Sequence, residues 1–272
     1  MVSFANAKIN IGLNIVGKRA DGYHLLESVF YPFPLYDIME ITSSESAVET
    51  TLSITGLPLL VEDNNLCLRS YHLLSERFSL PPVHIHLHKQ IPFGAGLGGG
   101  SSDAAVVLKM LNEKFNIGLS TLELEQEAAK LGADCPFFIR NEPLYAEGIG
   151  TDLLPISLDL SDKFLIIIKP DVHVSTAEAY QHVVPHPAKE DLREVLHLPV
   201  QDWKFYVKND FEDGVFERYP IIREIKLALY ATGATYASMS GSGSAVYGIF
   251  PKPVNVAGLQ KFGQVFLPLA PL

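Results

Sequence analysis

Cysteine is scarce in this chain. Its 272 residues include two, Cys67 and Cys135, too few for a disulfide framework and without the paired spacing of a structural metal site. A reducing compartment is the expected home. Basic residues are also in the minority: 21 lysines and arginines against 31 aspartates and glutamates leave a formal net charge of −10. Broad binding to a phosphate backbone needs a basic footprint, so nucleic acid is not an expected partner. No apolar run reaches the length that spans a bilayer, and the first residues show no charged segment followed by an apolar one. The expectation is a cytoplasmic protein without a membrane partner. Repeats and low-complexity tracts are missing too. Apolar residues are plentiful: 47% hydrophobic and 19% charged composition places the chain among ordered globular proteins, long enough for one large domain or two smaller ones.

Glycine is concentrated in one place. Pro92, Phe93, Gly94, Ala95, Gly96, Leu97, Gly98, Gly99, Gly100, Ser101, Ser102 and Asp103 form a loop between a strand pattern and the apolar, helix-favouring run from Ala104 to Leu111. Glycine lets backbone adopt φ > 0 and lets amides approach a ligand with no Cβ in the way. Ser101, Ser102 and Asp103 are cap-type residues, so a helix is expected to open there. Bare N–H groups at a helix start make an anion site, so the loop reads as a phosphate binder. Residues 94–99 also satisfy the dinucleotide pattern G-x-G-x-x-G, but that fingerprint needs a second parallel strand about twenty residues on. Helical patterns follow instead, near 104–114 and 123–131. No Lys-Ser or Lys-Thr follows the glycines, so the chain lacks a P-loop as well.

Along the rest of the chain, Ile9, Ile11, Leu13 and Ile15 alternate with Lys8, Asn10, Gly12 and Asn14, the period of a half-buried strand. Lys8 and Asn10 then project about 7 Å apart; from the residues alone this is a solvated polar face. Asp21-Gly22 marks a turn, and Tyr23 and His24 leave it together. Asn64 to Phe78 reads as a helix capped by Asp63, Asn64 or Asn65. Val83, Ile85 and Leu87 alternate with His84, His86 and His88, and a polar strand face is favoured over a zinc site. Lys89 and Gln90 end that strand. Ser120 and Glu123 form a capping box for a helix running to about Leu131. Asp134, before Cys135-Pro136, is equally an N-cap or a functional carboxylate. Strand ends are expected at 145–150 and 153–156, and a buried strand at Phe164–Lys169. A second domain is expected to begin near 155–162, dividing the chain into 1–157 and 158–272. A short helix after Val174-Ser175-Thr176 carries Tyr180, residues 185–202 show no period, and Ile221–Tyr230 reads as a helix. Ser240, Gly241, Ser242 and Gly243 form a second glycine loop, either a hairpin turn or a closure over phosphates.

Phosphoryl transfer needs a cradle, a divalent ion, a cation near developing charge and a group orienting the acceptor hydroxyl. Lys8 and Asp134 are candidates for the last two. At this point the chain resembles the GHMP kinases, whose motif Pro-x-x-x-Gly-Leu-Gly-Ser-Ser-x-Ala looks like Pro92 to Ala105 with an additional glycine. Ala7-Lys8-Ile9-Asn10, Arg19 to His24, Leu131 to Pro136 and Met239 to Gly243 match the branch that phosphorylates the 2-hydroxyl of a CDP-linked methylerythritol in non-mevalonate isoprenoid synthesis.

The resemblance implies a two-domain α/β (α+β) GHMP kinase fold with the active site in the interdomain cleft. It implies ATP and Mg²⁺ as cofactors, small-molecule substrates and a monomer or weak homodimer. Asp134 becomes the acceptor-side carboxylate and Lys8 its basic partner. Asn10 meets the methylerythritol, His24 hydrogen-bonds the cytosine, and Tyr23 and Tyr180 stack on it with Thr176 nearby. Tyr180 stands where relatives usually carry Phe. Asn65 and Lys89 are expected on the adenine side. No metal ligand is assigned; Ser101 or Ser102, or phosphates and water alone, are the options. A lysine ammonium beside Asp134 makes it a weaker base, which favours orientation with late proton transfer. Another small-molecule GHMP kinase, a catalytically silent nucleotide-binding regulator and, more distantly, a dinucleotide-dependent oxidoreductase are the alternatives.

Overall fold

A strand of alternating residues leaves its polar face to water unless something covers it. In the computed structural model, which describes residues 1–43, 48–58 and 64–268, the first strand is covered on both sides. β1 (Val2–Lys18) is buried without a break from Ala5 to Leu13, with Lys8 4% and Asn10 3% exposed. The expected solvated face is overturned, and these buried polar groups must find partners inside the protein. At Asp21-Gly22 the chain turns back into β2 (His24–Ser43), which pairs with β1. β3 (Thr51–Gly56), α1 (Leu66–Phe78) and β4 (Val83–Lys89) follow. Three helices come next, α2 (Gly99–Lys114), α3 (Thr121–Ala129) and α4 (Cys135–Arg140), with no strand between them. The glycine loop therefore does not open the strand–helix–strand unit of a dinucleotide fold.

The remainder is β5 (Leu144–Glu147), β6 (Asp152–Pro155), β7 (Phe164–Lys169), α5 (Thr176–Gln181), α6 (Leu192–Val195), α7 (Trp203–Tyr206), α8 (Glu212–Arg218) and α9 (Pro220–Ala231), then β8 (Tyr236–Met239), β9 (Val246–Phe250) and β10 (Gln264–Phe266). Two compact units are built from these elements. The first comprises Met1–Ala7, Leu35–Phe93 and Gly98–Glu142; the second comprises Lys8–Pro34, Gly94–Leu97 and Pro143–Leu272. They interleave because β1 and β2 are long enough to enter both.

In the first unit, β4 runs parallel to β3 and antiparallel to the end of β2. α1 packs on α2, and α2 on α4. Val83, Ile85 and Leu87 are buried, while His84, His86 and His88 bond the hydroxyls of Thr51, Ser53 and Thr55 at 2.8–3.1 Å. That hydroxyl ladder is the polar strand face the alternation predicts. α3 carries the predicted capping box, with Ser120 and Glu123 bonding each other's backbone.

In the second unit, the start of β2 pairs with β5, and β5 with β6, all antiparallel. A separate antiparallel sheet has the order β10-β7-β9-β8. α9 presents Ile222, Ile225 and Leu229 to the core, all fully buried. Their helical spacing forms one apolar stripe, and burial of each side chain is worth about 1.5–3 kcal/mol. The aperiodic stretch 185–202 holds α6 and a single 3₁₀ turn at Val200–Asp202. No helix among the described residues is long and apolar enough to cross a membrane.

Candidate active site

The glycine loop ends differently from the sequence expectation. α2 opens at Gly98, in the left-handed region at φ +70° with no side-chain cap bond, and Gly99 is already helical. Ser101, Ser102 and Asp103 lie inside the helix start and do not cap it. Glycine can adopt the left-handed turn that begins the helix earlier, and it brings no capping hydroxyl with it. The consequence favours anions: the amides of Gly99, Gly100 and Ser101 have no acceptor within the helix. Ser102 is 1% exposed, and its Oγ has no protein partner among the described residues. The Ser101 hydroxyl is hydrogen-bonded to the Cys135 thiol, which burial pushes up to about 11, so that sulfur is neutral.

The middle of the loop is held by the second glycine loop. Ser240 Oγ donates to the Gly96 carbonyl at 2.8 Å and accepts from the Asn10 amide at 3.1 Å. The Ala245 amide donates to the Ala95 carbonyl at 3.1 Å. A Cβ on Gly96 would stand 2.0 Å from the Ser240 carbonyl oxygen. Residues 240–245 therefore connect the antiparallel β8 and β9, as a hairpin turn does, and also brace residues 95 and 96. Behind this turn, buried Asn209 donates through Nδ2 to the carbonyls of Met239 (2.9 Å) and Gly241 (2.8 Å) and accepts from the Phe211 amide (3.0 Å). Sequence reasoning missed Asn209, a lone polar residue with no motif around it.

Lys8 joins the same loop through its backbone, its amide donating to the Leu97 carbonyl at 2.9 Å. Its ammonium donates to Asn10 Oδ1 and lies 4.7 Å from the centre of the Phe30 ring. Asn10 Nδ2 donates to Ser28 Oγ (2.9 Å), which donates to the Gly12 carbonyl (2.6 Å). A buried lysine is tolerated only with such partners.

Asp134 precedes α4 in helical backbone geometry and makes no side-chain bond to the helix amides. The N-cap alternative is thus removed. Its neighbour Cys135 touches Ser101, and α4 packs on α2, so Asp134 belongs to the first unit beside the start of α2. Lys8 belongs to the second unit.

Asn65 caps α1, its Oδ1 accepting from the Cys67 amide at 2.9 Å; Asp63, another candidate cap, lies outside the described residues. Asn65, Phe93, Lys89, Gly100 and Asp103 line a cavity of about 480 Å³. Lys89 is not a free cation there. It is 3% exposed and bonds both Asp37 and, at 2.8 Å, Asp103. Against its own burial, those carboxylates hold Lys89 above its ordinary value. Burial, and Asp37 competing for the same lysine, push Asp103 up to about 7. Asp37 also accepts from the amides of Gln90 and Ile91. Neither aspartate's role was visible in the sequence.

Tyr23, His24, Thr176 and Tyr180 do come together. They line one cavity of about 550 Å³ in the second unit. His24 lies flat on Tyr180, ring centres 4.6 Å apart at 21°, and Phe211 meets Tyr180 edge-on at 4.8 Å. The His24–Tyr180 stack and the Phe211 contact were not anticipated. Burial and then Lys18 lower His24 below the usual imidazole value, so it is neutral at pH 7. Tyr23 is 62% exposed, and Thr176 Oγ1 lies 3.2 Å from Ser242 Oγ.

A glycine loop at a helix start, a buried lysine tied to it and two mixed α/β units define a small-molecule kinase of the GHMP class. The family described as GHMP kinases N terminal domain matches residues 65–142, and GHMP kinases C terminal matches residues 188–262. A Bacteroides fragilis protein named 4-diphosphocytidyl-2-C-methyl-D-erythritol kinase is 54% identical over 252 residues, 92% of each chain. A Parabacteroides distasonis protein of the same name is 48% identical over 268 residues, 98% of each chain. The crystal structure of a 4-(cytidine 5'-diphospho)-2C-methyl-D-erythritol kinase matches with a TM-score of 0.79 at 31% identity, covering 98% of each chain. The chain belongs to the 4-diphosphocytidyl-2-C-methyl-D-erythritol kinase family. ATP is the donor of GHMP kinases.

Proposed function

We propose that the protein transfers the γ-phosphoryl group of ATP to the 2-hydroxyl of 4-diphosphocytidyl-2-C-methyl-D-erythritol, within non-mevalonate isoprenoid precursor synthesis. One observation supports the acceptor: Tyr23, His24, Thr176 and Tyr180 share a cavity, with His24 and Tyr180 stacked. Aromatic faces and a neutral imidazole suit a flat, hydrogen-bonding base such as cytosine. Mevalonate and homoserine carry no such group. Tyr23 and Tyr180 stack on the base in this reading, His24 bonds its edge, and Asn10 meets the methylerythritol.

Residues Pro92 to Ser102 wrap the donor phosphates, with Asn65 toward the adenine. Lys89 serves that side through its place in the ion triad. The donor loop lies in 1–157, and Thr176 and Tyr180 lie in 158–272, the two segments we take as functional domains. Asp134 orients the acceptor hydroxyl and takes its proton late, as the oxygen bonds the γ-phosphorus and the bond to the ADP oxygen breaks. Lys8 offsets charge developing on the transferred group.

The residues near α2 fit Mg²⁺: Ser102 Oγ is buried without a partner among the described residues, and the Asp134 carboxylate precedes the helix whose first residue bonds Ser101. When bound, the ion would neutralise phosphate charge. No three His, Cys, Asp or Glu among the described residues form a cage for it, so phosphates and water supply most ligands. The reading includes a cytoplasmic setting and a monomer or weak homodimer.

The test is ADP release by purified protein given ATP, Mg²⁺ and a panel of alcohol acceptors. Turnover is expected with the cytidine-linked acceptor alone, inhibited competitively by CMP or CDP. Turnover on mevalonate or homoserine without cytidine competition overturns the acceptor assignment, and no turnover with any acceptor favours the silent regulator.

A further inference from the structure

Arg69 has no role so far. It sits on α1, one turn after Asn65, its amide donating to the Asn65 carbonyl at 3.0 Å. It lines the 480 Å³ cavity together with Asn65, Gly100 and Asp103. Its charge also reaches the Cys135 thiol, the group bonded to the Ser101 hydroxyl. The guanidinium therefore has both the cavity and the start of α2 within its field. Around it, Lys89 is shared by two carboxylates, Asp37 and Asp103, and Asp103 Oδ1 is buried without a partner among the described residues. No carboxylate among the described residues forms an ion pair with Arg69, which is half-buried.

A second observation lies within the first turn of α2. Ser102 is 1% exposed, and its Oγ has no partner among the described residues. Beside it stand the α2 amides that lack helical acceptors. The half-buried guanidinium and Gly100, whose amide is one of those open, line one cavity, and such donors suit a multiply charged oxyanion. Arginine's planar fork suits phosphate better than a point charge would.

From this arrangement we infer that Arg69 binds a phosphate oxygen of the donor nucleotide, as a second cation beside the glycine loop and separate from Lys8. The inference rests on the kinase reading above. It assigns Arg69 to binding of the phosphate chain, not to the adenosine part.

The two parts can be separated by calorimetry with ATP, ADP and adenosine on wild-type protein, Arg69→Gln and Arg69→Lys. A charge-assisted bond of ordinary strength predicts that Arg69→Gln weakens ATP and ADP roughly ten- to a hundredfold while adenosine stays within about twofold. Arg69→Lys should recover part of the loss. Equal weakening of adenosine and ADP assigns Arg69 to shaping α1 and overturns the inference, as does unchanged ADP affinity in Arg69→Gln. Wild-type protein that neither binds ATP nor releases ADP defeats the kinase reading itself; normal wild-type turnover with an unaffected Arg69→Gln defeats this inference alone.

Discussion

Replacing Gly96 by alanine tests whether the two glycine loops act as one device. Gly96 has φ +76°, and an alanine Cβ there would lie 2.0 Å from the Ser240 carbonyl oxygen. Real Cβ contacts do not come below about 3 Å, so the loops must part by roughly 1 Å. Parting loosens two bonds, Ser240 Oγ to the Gly96 carbonyl and the Ala245 amide to the Ala95 carbonyl. Each is worth about 1 kcal/mol. The left-handed backbone adds about 1–2 kcal/mol for any residue with a Cβ.

Gly118 isolates that last contribution. Its φ is +82°, and nothing lies within 4 Å of its would-be Cβ. Gly118→Ala should therefore cost about 1–2 kcal/mol and Gly96→Ala about 3–4 kcal/mol. At about 2–4 °C per kcal/mol, the two melting temperatures should differ by roughly 4–8 °C. Turnover should separate them further. A misplacement of about 1 Å in a loop that positions a reacting group costs about a hundredfold, so Gly96→Ala should lose about that much and Gly118→Ala almost nothing. Thermal melts and ADP release on the two purified variants supply both readings. Equal melting shifts with equal turnover would refute the coupling of the loops.

Other outcomes follow from the same contacts. Asp134→Asn should lose about a hundredfold or more of turnover while ATP binds within about twofold, by ADP release and calorimetry; near-normal turnover would remove its role. Lys8→Ala should lower kcat by more than it changes ATP affinity, and a defect confined to affinity would argue against charge stabilisation. Asn209→Ala leaves the Met239 and Gly241 carbonyls without their donor and should cost about 2–4 kcal/mol in a denaturant melt; a loss below about 0.5 kcal/mol would show that the turn stands without it. Asp103 is raised from 3.8 to about 7 in the folded protein, so the fold binds its proton more tightly than the unfolded chain does. That contribution is complete below pH 3.8 and fades as pH rises to about 7. Relative to wild type, Asp103→Asn should therefore gain in melting temperature between pH 4.5 and 8, and a constant offset would contradict it.

Legibility in the sequence followed the range of the forces involved. The Phe164–Lys169 strand and the Ser120–Glu123 capping box are local, and both form where the pattern places them. Tyr23, His24 and Tyr180 line one cavity, and period and spacing alone could not have joined residues 24 and 180. The start of α2 was misplaced because serine is the commoner cap, whereas Gly98 alone supplies the left-handed turn. Lys8 and Asn10 looked solvated because alternation reports one apolar face and is silent on what covers the other. The Asp37–Lys89–Asp103 triad spans separations of 52 and 14 residues, beyond any local pattern.

The interleaving of the two units has a consequence for how the chain is made. Residues Lys8–Pro34 carry Lys8, Asn10, Tyr23 and His24, yet their compact unit is completed only by Pro143–Leu272. A ribosome adds about 5–20 residues per second, so Pro143 follows Pro34 by on the order of 5–20 s. For that interval the first unit can fill with its own residues up to Glu142 while this early segment waits for its core. A strand destined to bury a lysine and an asparagine spends the wait in water, where both are at ease. The lysine and asparagine buried deepest in β1 thus belong to the early segment whose compact unit is completed last.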